Sequence, residues 1–288
     1  MPALFAGIHV LFPGLYDEPW MAGTSRTSPA MTQNTYLDAR GKCSSHCWKV
    51  LTARSIRGTM SEIGLFDAMY SARSLRRLKP DPVPEEIIGR ILDAAIRAPS
   101  AGNAQHWAFV VVRDAEQRGK LGAIYRKASD IASAIYRARG RPTHMTEEQF
   151  QRFLSSGSYL WEHMGDAPVL LVPCLRERPP PPRDTLPEWV QAIYEQELAY
   201  ERRIRGASIY PAVQNIILAC RAFGLGTLIT TNHIRCEDEV RAVLGLPEDV
   251  STFALIPIGY PVGKFGPLSR RPVAEVAYAD RWNVAWQG

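Results

Sequence analysis

A segment with helical periodicity is separated from a short apolar run by the stretch Ala98-Pro99-Ser100-Ala101-Gly102-Asn103-Ala104-Gln105-His106-Trp107. Pro99 cannot continue a helix, because it lacks an N–H group and its ring clashes with the preceding turn. A loop that only reversed the chain would not need the polar side chains of Ser100, Asn103 and Gln105. Small residues allow a flat ligand to approach the backbone, and polar side chains can hydrogen-bond to its edge. We therefore expect a planar heterocycle to bind at this loop.

Helices and strands are predicted to alternate on both sides of the loop. Residues 85–98 have one apolar face and begin with two glutamates, which suit the positive end of a helix dipole. Residues 108–112 are apolar and β-branched, which is typical of a buried strand. The class is therefore α+β or α/β, with a mixed sheet covered by helices. The same patterns predict further helices over 115–138, 147–161, 189–205, 210–223 and 238–244, and strands over 167–172, 225–231 and 253–260. Pro257 favours a sheet edge or a bulge for the last strand.

The composition is that of an ordinary globular protein. The 288 residues are 46% hydrophobic and 22% charged, with a formal net charge of +5. This charge favours anionic partners, but the lysines and arginines are not clustered as in nucleic-acid-binding proteins. No apolar run is long enough to cross a bilayer. We expect a soluble, cytoplasmic protein that binds neither nucleic acid nor membrane.

Residues 1–59 differ from the rest of the sequence. They show no sustained periodicity, and their few acidic and several basic residues have the bias of a transit peptide. We expect a leader or disordered extension there, and one domain over residues 60–288 that begins near Met60. Residues 43–47 could bind a metal through two cysteines and a histidine, but no second ligand pair follows at zinc-like spacing. We therefore predict no metal site.

Three segments are more polar than packing alone requires. They are Arg73-Ser74-Leu75-Arg76, the loop 98–107 and the pair Arg270-Arg271. Arginine makes bidentate, charge-assisted hydrogen bonds to phosphate, and the serine can add a hydroxyl. The amides in the loop can bind the donor and acceptor edge of a ring. Together the segments predict a ligand with an anionic end and a planar polar end.

The order of these segments resembles that of the nitroreductase family of flavoproteins. The motifs are Arg-Ser-x-Arg before a proline-rich strand entry, Ala-Pro-Ser-x-x-Asn-x-Gln-x-Trp, a Gln-Asn helix leading into Gly-Leu-Gly, and Pro-x-Gly-Tyr-Pro followed by Arg-Arg-Pro. They occupy residues 73–76, 98–107, 214–226, 257–261 and 270–272, and the match covers residues 61–276. The resemblance implies an α+β, nitroreductase-like fold. Its sheet would be mixed but mainly antiparallel, and the chain would form a domain-swapped homodimer.

The resemblance also implies FMN, bound at the dimer interface between both subunits. Arg73 and Ser74 would lie near its phosphate and ribityl chain, and Arg76 near the pyrimidine edge of the ring. Asn103 would bond to that same edge. Carried over residue by residue, the FMN-binding set is Arg73, Ser74, Arg76, Pro99, Ser100, Asn103, Gln105, Thr230, Thr231 and Arg270.

The reaction implied by the resemblance has two steps. NAD(P)H gives a hydride to flavin N5 and leaves, and a small electron-poor acceptor such as a nitroaromatic, quinone or enone then takes the electrons. The protein supplies orientation and electrostatics, and no acid–base residue is expected. Arg76 would tune the flavin by stabilising negative charge at the pyrimidine edge. No motif in the sequence chooses between NADH and NADPH.

Three features depart from the family's pattern or add to it. Many relatives have arginine where this chain has Ala72, and proline where it has His106, which could line the pocket. Residues 176–208, with their polyproline run, are expected to form a helical lid or an inter-subunit arm.

Other functions on the same scaffold stay open. The deiodinase branch covers its substrate with a lid that bears Glu, Tyr and Lys; residues 147–161 lie at about that position, without a matching triad. A flavin-destructase-like enzyme and a non-catalytic flavin-binding protein are further alternatives. A Rossmann dehydrogenase is disfavoured, because no G-x-G-x-x-G follows a strand.

Overall fold

The computed structural model describes residues 63–287. The predicted leader 1–59, the start near Met60 and the cysteine segment 43–47 lie outside these residues. Within the described part of the chain, no helix is long and apolar enough to cross a membrane.

A five-stranded antiparallel sheet forms the centre of the fold. It lies in the order β1-β2-β5-β3, and β4 pairs with the C-terminal end of β2. Every pairing between the described strands is antiparallel, so the mainly antiparallel sheet is confirmed, and the expected mixture with parallel pairs is not found among them. The strands are β1 (Trp107–Val112), β2 (Val169–Arg176), β3 (Gly226–Thr227), β4 (Val250–Thr252) and β5 (Ile256–Gly259).

Helices pack around this sheet. They are α1 (Leu65–Ser71), α2 (Glu85–Ala95), α3 (Ala115–Arg139), α4 (Glu147–His163), α5 (Glu188–Gln191), α6 (Tyr194–Ile204), α7 (Tyr210–Ala222) and α8 (Glu237–Leu244). The helices α3 and α4 join β1 to β2 as a hairpin. Arg118, near the beginning of α3, donates to the carbonyls of Gly165 and Ala167, just after α4. These two helices return the chain to the end of the sheet where β1 stops. The strand β2 therefore runs antiparallel to β1.

The buried strand β2 separates two hydrophobic cores. Alternate side chains of a strand point to opposite faces of the sheet. Leu171 belongs to the core on the side of α2 and α7, with Ile91 and Ile216. Leu170 belongs to the core on the side of α3, with Tyr125. Because both faces are covered, the sequence of β2 is a continuous apolar run, as the sequence analysis predicted.

The strand β3 is shorter than the strand predicted over 225–231. The register that pairs β3 with β5 continues to an isolated bridge between Thr230 and Leu255. In this register Leu228 lies opposite Pro257, which has no N–H to donate, and the ladder is interrupted there. The expectation that Pro257 would place its strand at a sheet edge is wrong, because β5 lies between β2 and β3.

Candidate functional site

Residues 73–79 run along the sheet beside β3 and β5. Leu75 donates its N–H to the carbonyl of Thr227 at 3.2 Å, and Lys79 donates to the carbonyl of Tyr260 at 2.7 Å. The Leu75 side chain is buried. These contacts fix the backbone of the predicted Arg-Ser-x-Arg segment against the sheet.

A pair of glycines allows this segment to approach the sheet closely. Gly226 of β3 lies opposite Gly259 of β5. A Cβ atom at Gly226 would stand 2.8 Å from Leu78 Cδ2, and one at Gly259 would stand 3.3 Å from Leu78 Cβ and 2.9 Å from the Pro168 ring. Any larger residue would push Leu78 outward. The glycines therefore determine where Ser74 and Arg76 lie.

Arg76 is half-buried, and no carboxylate in the described residues contributes to its electrostatics. Burial lowers the pKa of Arg76, and its electrostatic neighbour is the hydroxyl of Tyr125. That hydroxyl lies 3.0 Å from Thr230 Oγ1, and burial raises the pKa of Tyr125. A partly buried cation without an anion costs free energy. The position therefore favours a ligand that brings negative charge to Arg76.

A cavity of about 610 Å³ is lined by residues 74–77 and by one face of α4. A capping box between Thr146 and Gln149 sets the beginning of α4. Arg77 stacks on this helix, with its Cζ 3.9 Å from the centroid of the Tyr159 ring. All the α4 side chains that line the cavity are polar, and their spacing of three or four places them on one face. They are Glu148, Gln151, Arg152, Ser155, Ser156 and Tyr159.

A second cavity, of about 270 Å³, shares Ser74 with the first. Its other polar residues are Gln214, Thr227 and Arg270. Thr227 is only 5% exposed, and its Oγ1 has no hydrogen-bond partner in the described residues. Leaving a buried hydroxyl unsatisfied costs about 1–3 kcal/mol. The Arg270 guanidinium is exposed and donates to the neighbouring Ser269 carbonyl at 2.8 Å. This cavity thus offers a cation and a buried hydroxyl to a ligand.

The loop that precedes β1 has an unusual backbone. Gly102, Asn103 and Gln105 have φ angles of 58°, 51° and 51°, in the left-handed region. Side-chain atoms stabilise this shape: Gln105 donates its N–H to Ser100 Oγ at 3.1 Å and its amide to Asn103 Oδ1 at 3.0 Å. Left-handed non-glycine residues are uncommon and concentrate at functional sites. Pro99 and the two amides are exposed.

This loop lies diagonally across the sheet from Arg76. Trp107, at the beginning of β1, is in register with Leu175, whereas Thr227 is in register with Val169 through β5. Six residues along a strand and three strand spacings across the sheet correspond to about 20 Å and about 14 Å, or about 24 Å on the diagonal. Arg76 and Asn103 were expected at the same edge of one ring. One chain does not bring them together.

Of the remaining predicted FMN-binding residues, Thr230 is hydrogen-bonded within the chain, whereas Thr231 and Arg73 are exposed. Thr230 already uses its binding groups: its N–H donates to the Leu255 carbonyl, and its hydroxyl contacts Tyr125 and the N–H of Asn232. Thr231 and Arg73 are exposed, and Arg73 Nη1 lies beside Gly266. His106 is half-buried, and its carbonyl accepts from Arg176 next to the β1–β2 pair. In the described part of the chain, no cluster of three or more His, Cys, Asp and Glu side chains could hold a metal.

Comparison with known proteins identifies the family. The sequence model of the Nitroreductase family matches residues 69–260. The chain belongs to the nitroreductase family. An NADH dehydrogenase of Thermus thermophilus is 30% identical over 77% of this chain and 98% of that protein. A protein of Methanothermobacter thermautotrophicus, named as an NADH dehydrogenase or NAD(P)H nitroreductase, is 28% identical over 72% of this chain and 82% of the relative. Iodotyrosine deiodinase 1 of Rattus norvegicus is 26% identical over 68% of this chain and 61% of the relative.

Solved structures agree on the nitroreductase fold. A BluB-like flavoprotein of Clostridium difficile has a TM-score of 0.59 and 24% identity, over 76% of this chain and all of that one. An iodotyrosine deiodinase bound to FMN and 3-iodo-L-tyrosine has a TM-score of 0.53 and 22% identity, over 77% of this chain and all of that one. The family and the fold expected from the sequence are confirmed.

Two features of the candidate site in this nitroreductase-family chain were not predicted from the sequence. Tyr125 was counted only as part of a helix, because a buried tyrosine has no local signal that separates a packing role from a polar one. The polar face of α4 had a signal: polar residues recur at spacings of three and four opposite Phe150 and Leu160, which are buried. That periodicity predicts the apolar face of the helix, and by the same spacing it also defines the polar one.

Proposed function

We propose that this chain is an FMN-dependent oxidoreductase that oxidises NAD(P)H and reduces a small electron-poor acceptor. The observation that carries this proposal is Arg76, a half-buried cation without a carboxylate partner in residues 63–287, beside two adjacent cavities. Two relatives of this chain, named for NADH dehydrogenase and NAD(P)H nitroreductase activity, support the same conclusion.

The groups around Ser74 fit FMN. The smaller cavity would take the phosphate and ribityl chain, because Arg270 supplies a cation and the unsatisfied Thr227 hydroxyl suits a ribityl hydroxyl or a phosphate oxygen. Arg73, the residue before Ser74, supplies a further positive charge. Arg76 would then lie at the pyrimidine edge of the ring. FMN, when bound, supplies the hydride and electron-transfer chemistry that no protein side chain here provides.

Arg76 has the main electrostatic role in this proposal. A guanidinium keeps its charge at neutral pH and presents donors at its planar edge. Half-burial reduces the screening of that charge by water, and Arg76 therefore favours negative charge on a ring that accepts electrons. Tyr125 and Thr230 hold the neighbouring polar groups in place. Thr231, which is exposed, is the freer of the two threonines to contact a ligand.

We propose a homodimer in which the loop of one subunit completes the site of the other. The separation of about 24 Å between Trp107, which follows the loop of Asn103, and Thr227, which lies beside the segment of Arg76, supports a domain-swapped arrangement, because Asn103 and Arg76 are expected at one ring edge. Large apolar side chains are also exposed: Phe66 at 66%, Tyr70 at 66% and Trp282 at 76%. The rings of Phe66 and Tyr70 adjoin, with centroids 6.1 Å apart, and exposed apolar patches mark interaction surfaces.

The absorption spectrum of the purified protein tests the cofactor. We expect flavin bands, and release of FMN rather than FAD on denaturation. Steady-state oxidation of NADH and NADPH with a nitroaromatic or a quinone tests the reaction. A colourless protein that takes up no added FMN would overturn the proposal, and a flavin-containing protein without turnover would indicate the non-catalytic alternative.

Deiodination is the second candidate function. Glu148 and Tyr159 line the larger cavity, and the iodotyrosine deiodinase relatives support an enzyme of that branch. The expected lysine is absent from this lining, and arginines take its place. Reductive release of iodide from 3-iodotyrosine measures this activity directly.

The domain organisation and location are part of the proposal. We propose one FMN-binding domain over residues 60–288, with residues 176–208 as a helical lid or arm, in a cytoplasmic protein. Deletion of residues 1–59 is then expected to leave FMN bound, as the flavin content per chain would measure. Loss of FMN from that variant would overturn the proposed boundary.

A further inference from the structure

We propose that the larger cavity selects a substrate that carries a delocalised oxyanion, a carboxylate or a phosphate, and that Arg77 and Arg152 bind it. This inference rests on the proposed function, because it assigns a substrate class to the same site. It assigns a binding role to Arg77 and Arg152, neither of which belongs to the FMN-binding set predicted from the sequence.

The polar face of α4 is the first argument. Six positions of one helix face line the cavity, and each carries a side chain with a polar group, although the Tyr159 ring and Leu75 also give the cavity apolar surface. The opposite face carries Phe150 and Leu160, which are buried. A neutral aromatic ring would use only the apolar part of this lining and would leave the charged and amide groups without partners. The hydroxyls of Ser155, Ser156 and Tyr159 instead provide donors for oxygen atoms.

The charge of the lining is the second argument. Arg76, Arg77 and Arg152 face a single acidic residue, Glu148, which leaves two positive charges in excess. Arg152 pairs with Glu148 across one helical turn, with both side chains more than 70% exposed. Such an exposed pair contributes little to stability and exchanges easily for a better partner. A ligand oxyanion is therefore favoured at Arg152.

The orientation of Arg77 is the third argument. Its guanidinium stacks on the Tyr159 ring with Cζ 3.9 Å from the centroid. Stacking holds the planar group while leaving its N–H donors free at the edge. No hydrogen bond or ion pair uses the Arg77 side chain in residues 63–287, although its backbone carbonyl accepts from Val262. Arg77 is thus oriented in advance for a bidentate contact.

The oxyanion could belong to the acceptor or to the dinucleotide, whose 2′-phosphate distinguishes NADPH from NADH. Calorimetric titration separates these sources with two matched pairs of probes. The first pair is 4-nitrobenzoate and 4-nitrobenzamide, and the second is adenosine 2′,5′-bisphosphate and adenosine 5′-monophosphate. The protein is used as purified, with its cofactor. Tighter binding of 4-nitrobenzoate than of 4-nitrobenzamide assigns the oxyanion to the acceptor. Tighter binding of the bisphosphate than of the monophosphate assigns it to the dinucleotide donor.

We expect the anionic member of at least one pair to bind about fivefold more tightly at low salt, and this preference to shrink as salt rises. Arg77→Gln and Arg152→Gln should each reduce the preference, and the double variant should abolish it. Lys120→Gln removes one positive charge from α3 outside the cavity lining and should leave the preference intact. Unchanged melting temperatures confirm that the variants fold.

Equal binding within both pairs, or a preference that persists in the double variant, would overturn the inference. Because calorimetry needs no turnover, this failure is distinguishable from failure of the proposed function. A protein that binds 4-nitrobenzoate selectively but oxidises neither NADH nor NADPH retains the oxyanion site and loses the reaction. A protein that reduces both nitro compounds with equal affinity retains the reaction and loses the selectivity.

Discussion

The hydroxyl of Tyr125 lies 3.0 Å from Oγ1 of Thr230, and it is the electrostatic neighbour of Arg76. The contact with Thr230 links α3 to the strand end. Tyr125 is 1% exposed, so its hydroxyl has no access to bulk water. It is a positioning residue, because it acts through Arg76 and Thr230.

We expect Tyr125→Phe to lower the free energy of unfolding by about 1 kcal/mol, because a buried hydrogen bond is lost while the ring still packs. The variant should also shift the flavin midpoint potential, since Arg76 and Thr230 lose a common neighbour. Chemical denaturation and redox titration measure the two effects. A loss of stability with an unchanged potential would show that Tyr125 has a packing role alone.

We expect Arg76→Ala to lower the flavin midpoint potential, because negative charge on the ring loses its nearby cation. Arg76→Lys should restore part of the effect, since it keeps the charge and loses the planar fork. Lys120→Gln, which removes an exposed charge from α3, should leave the potential unchanged. A potential that is the same in Arg76→Ala and the unaltered protein contradicts the role given to Arg76.

We expect Gly226→Ala to destabilise the protein by about 1–3 kcal/mol and to weaken FMN binding. The added Cβ would stand 2.8 Å from Leu78 Cδ2 and 3.0 Å from Pro261 Cβ, so the segment that bears Arg76 must move. Gly89→Ala is the matched control. Its Cβ would meet nothing within 4 Å in α2, and the substitution should stabilise the helix by about 0.5–1 kcal/mol. Equal stability of the two variants would contradict the glycine argument.

Most helices and the central strands were predictable because their signals are local. The predicted helix over 147–161 and the observed Glu147–His163 begin at the same residue, because the capping box fixes it. The strand over 225–231 was overpredicted for a non-local reason. Its ladder is interrupted opposite Pro257, and only the register of the sheet brings Leu228 and Pro257 together.

The candidate site was predictable in part for the same reason. The arginines of the 73–76 segment and Arg270 stand out in the sequence, since their motifs are contiguous. The link between Tyr125 and Thr230 joins residues 105 positions apart and has no sequence signature. The loop 98–107 was predicted to bind a ligand, and its distance from Arg76 depends on strand order, which periodicity does not reveal.

Stability should fall with decreasing pH because of His233. This residue is 1% exposed, and burial lowers its pKa to about 4 from an ordinary 6.5. Thr252 Oγ1 donates to Glu237 and therefore accepts from Nε2–H of His233, while Nδ1 has no partner in the described residues. Protonation would add a buried N–H and a charge without an acceptor.

The sign follows from proton uptake. The unfolded chain binds this proton below about pH 6.5 and the folded chain only near pH 4, so the stabilisation present above pH 6.5 is lost as the pH falls towards 4. The loss attributable to His233 should amount to roughly 3 kcal/mol. Denaturation at pH 7 and at pH 4.5 should show a smaller pH dependence for His233→Leu than for the unaltered protein. His144→Gln, at an exposed histidine, should retain the full dependence. An equal pH dependence in all three proteins would contradict the assignment of this dependence to His233, because the imidazole would then have the same pKa in the folded and unfolded chains.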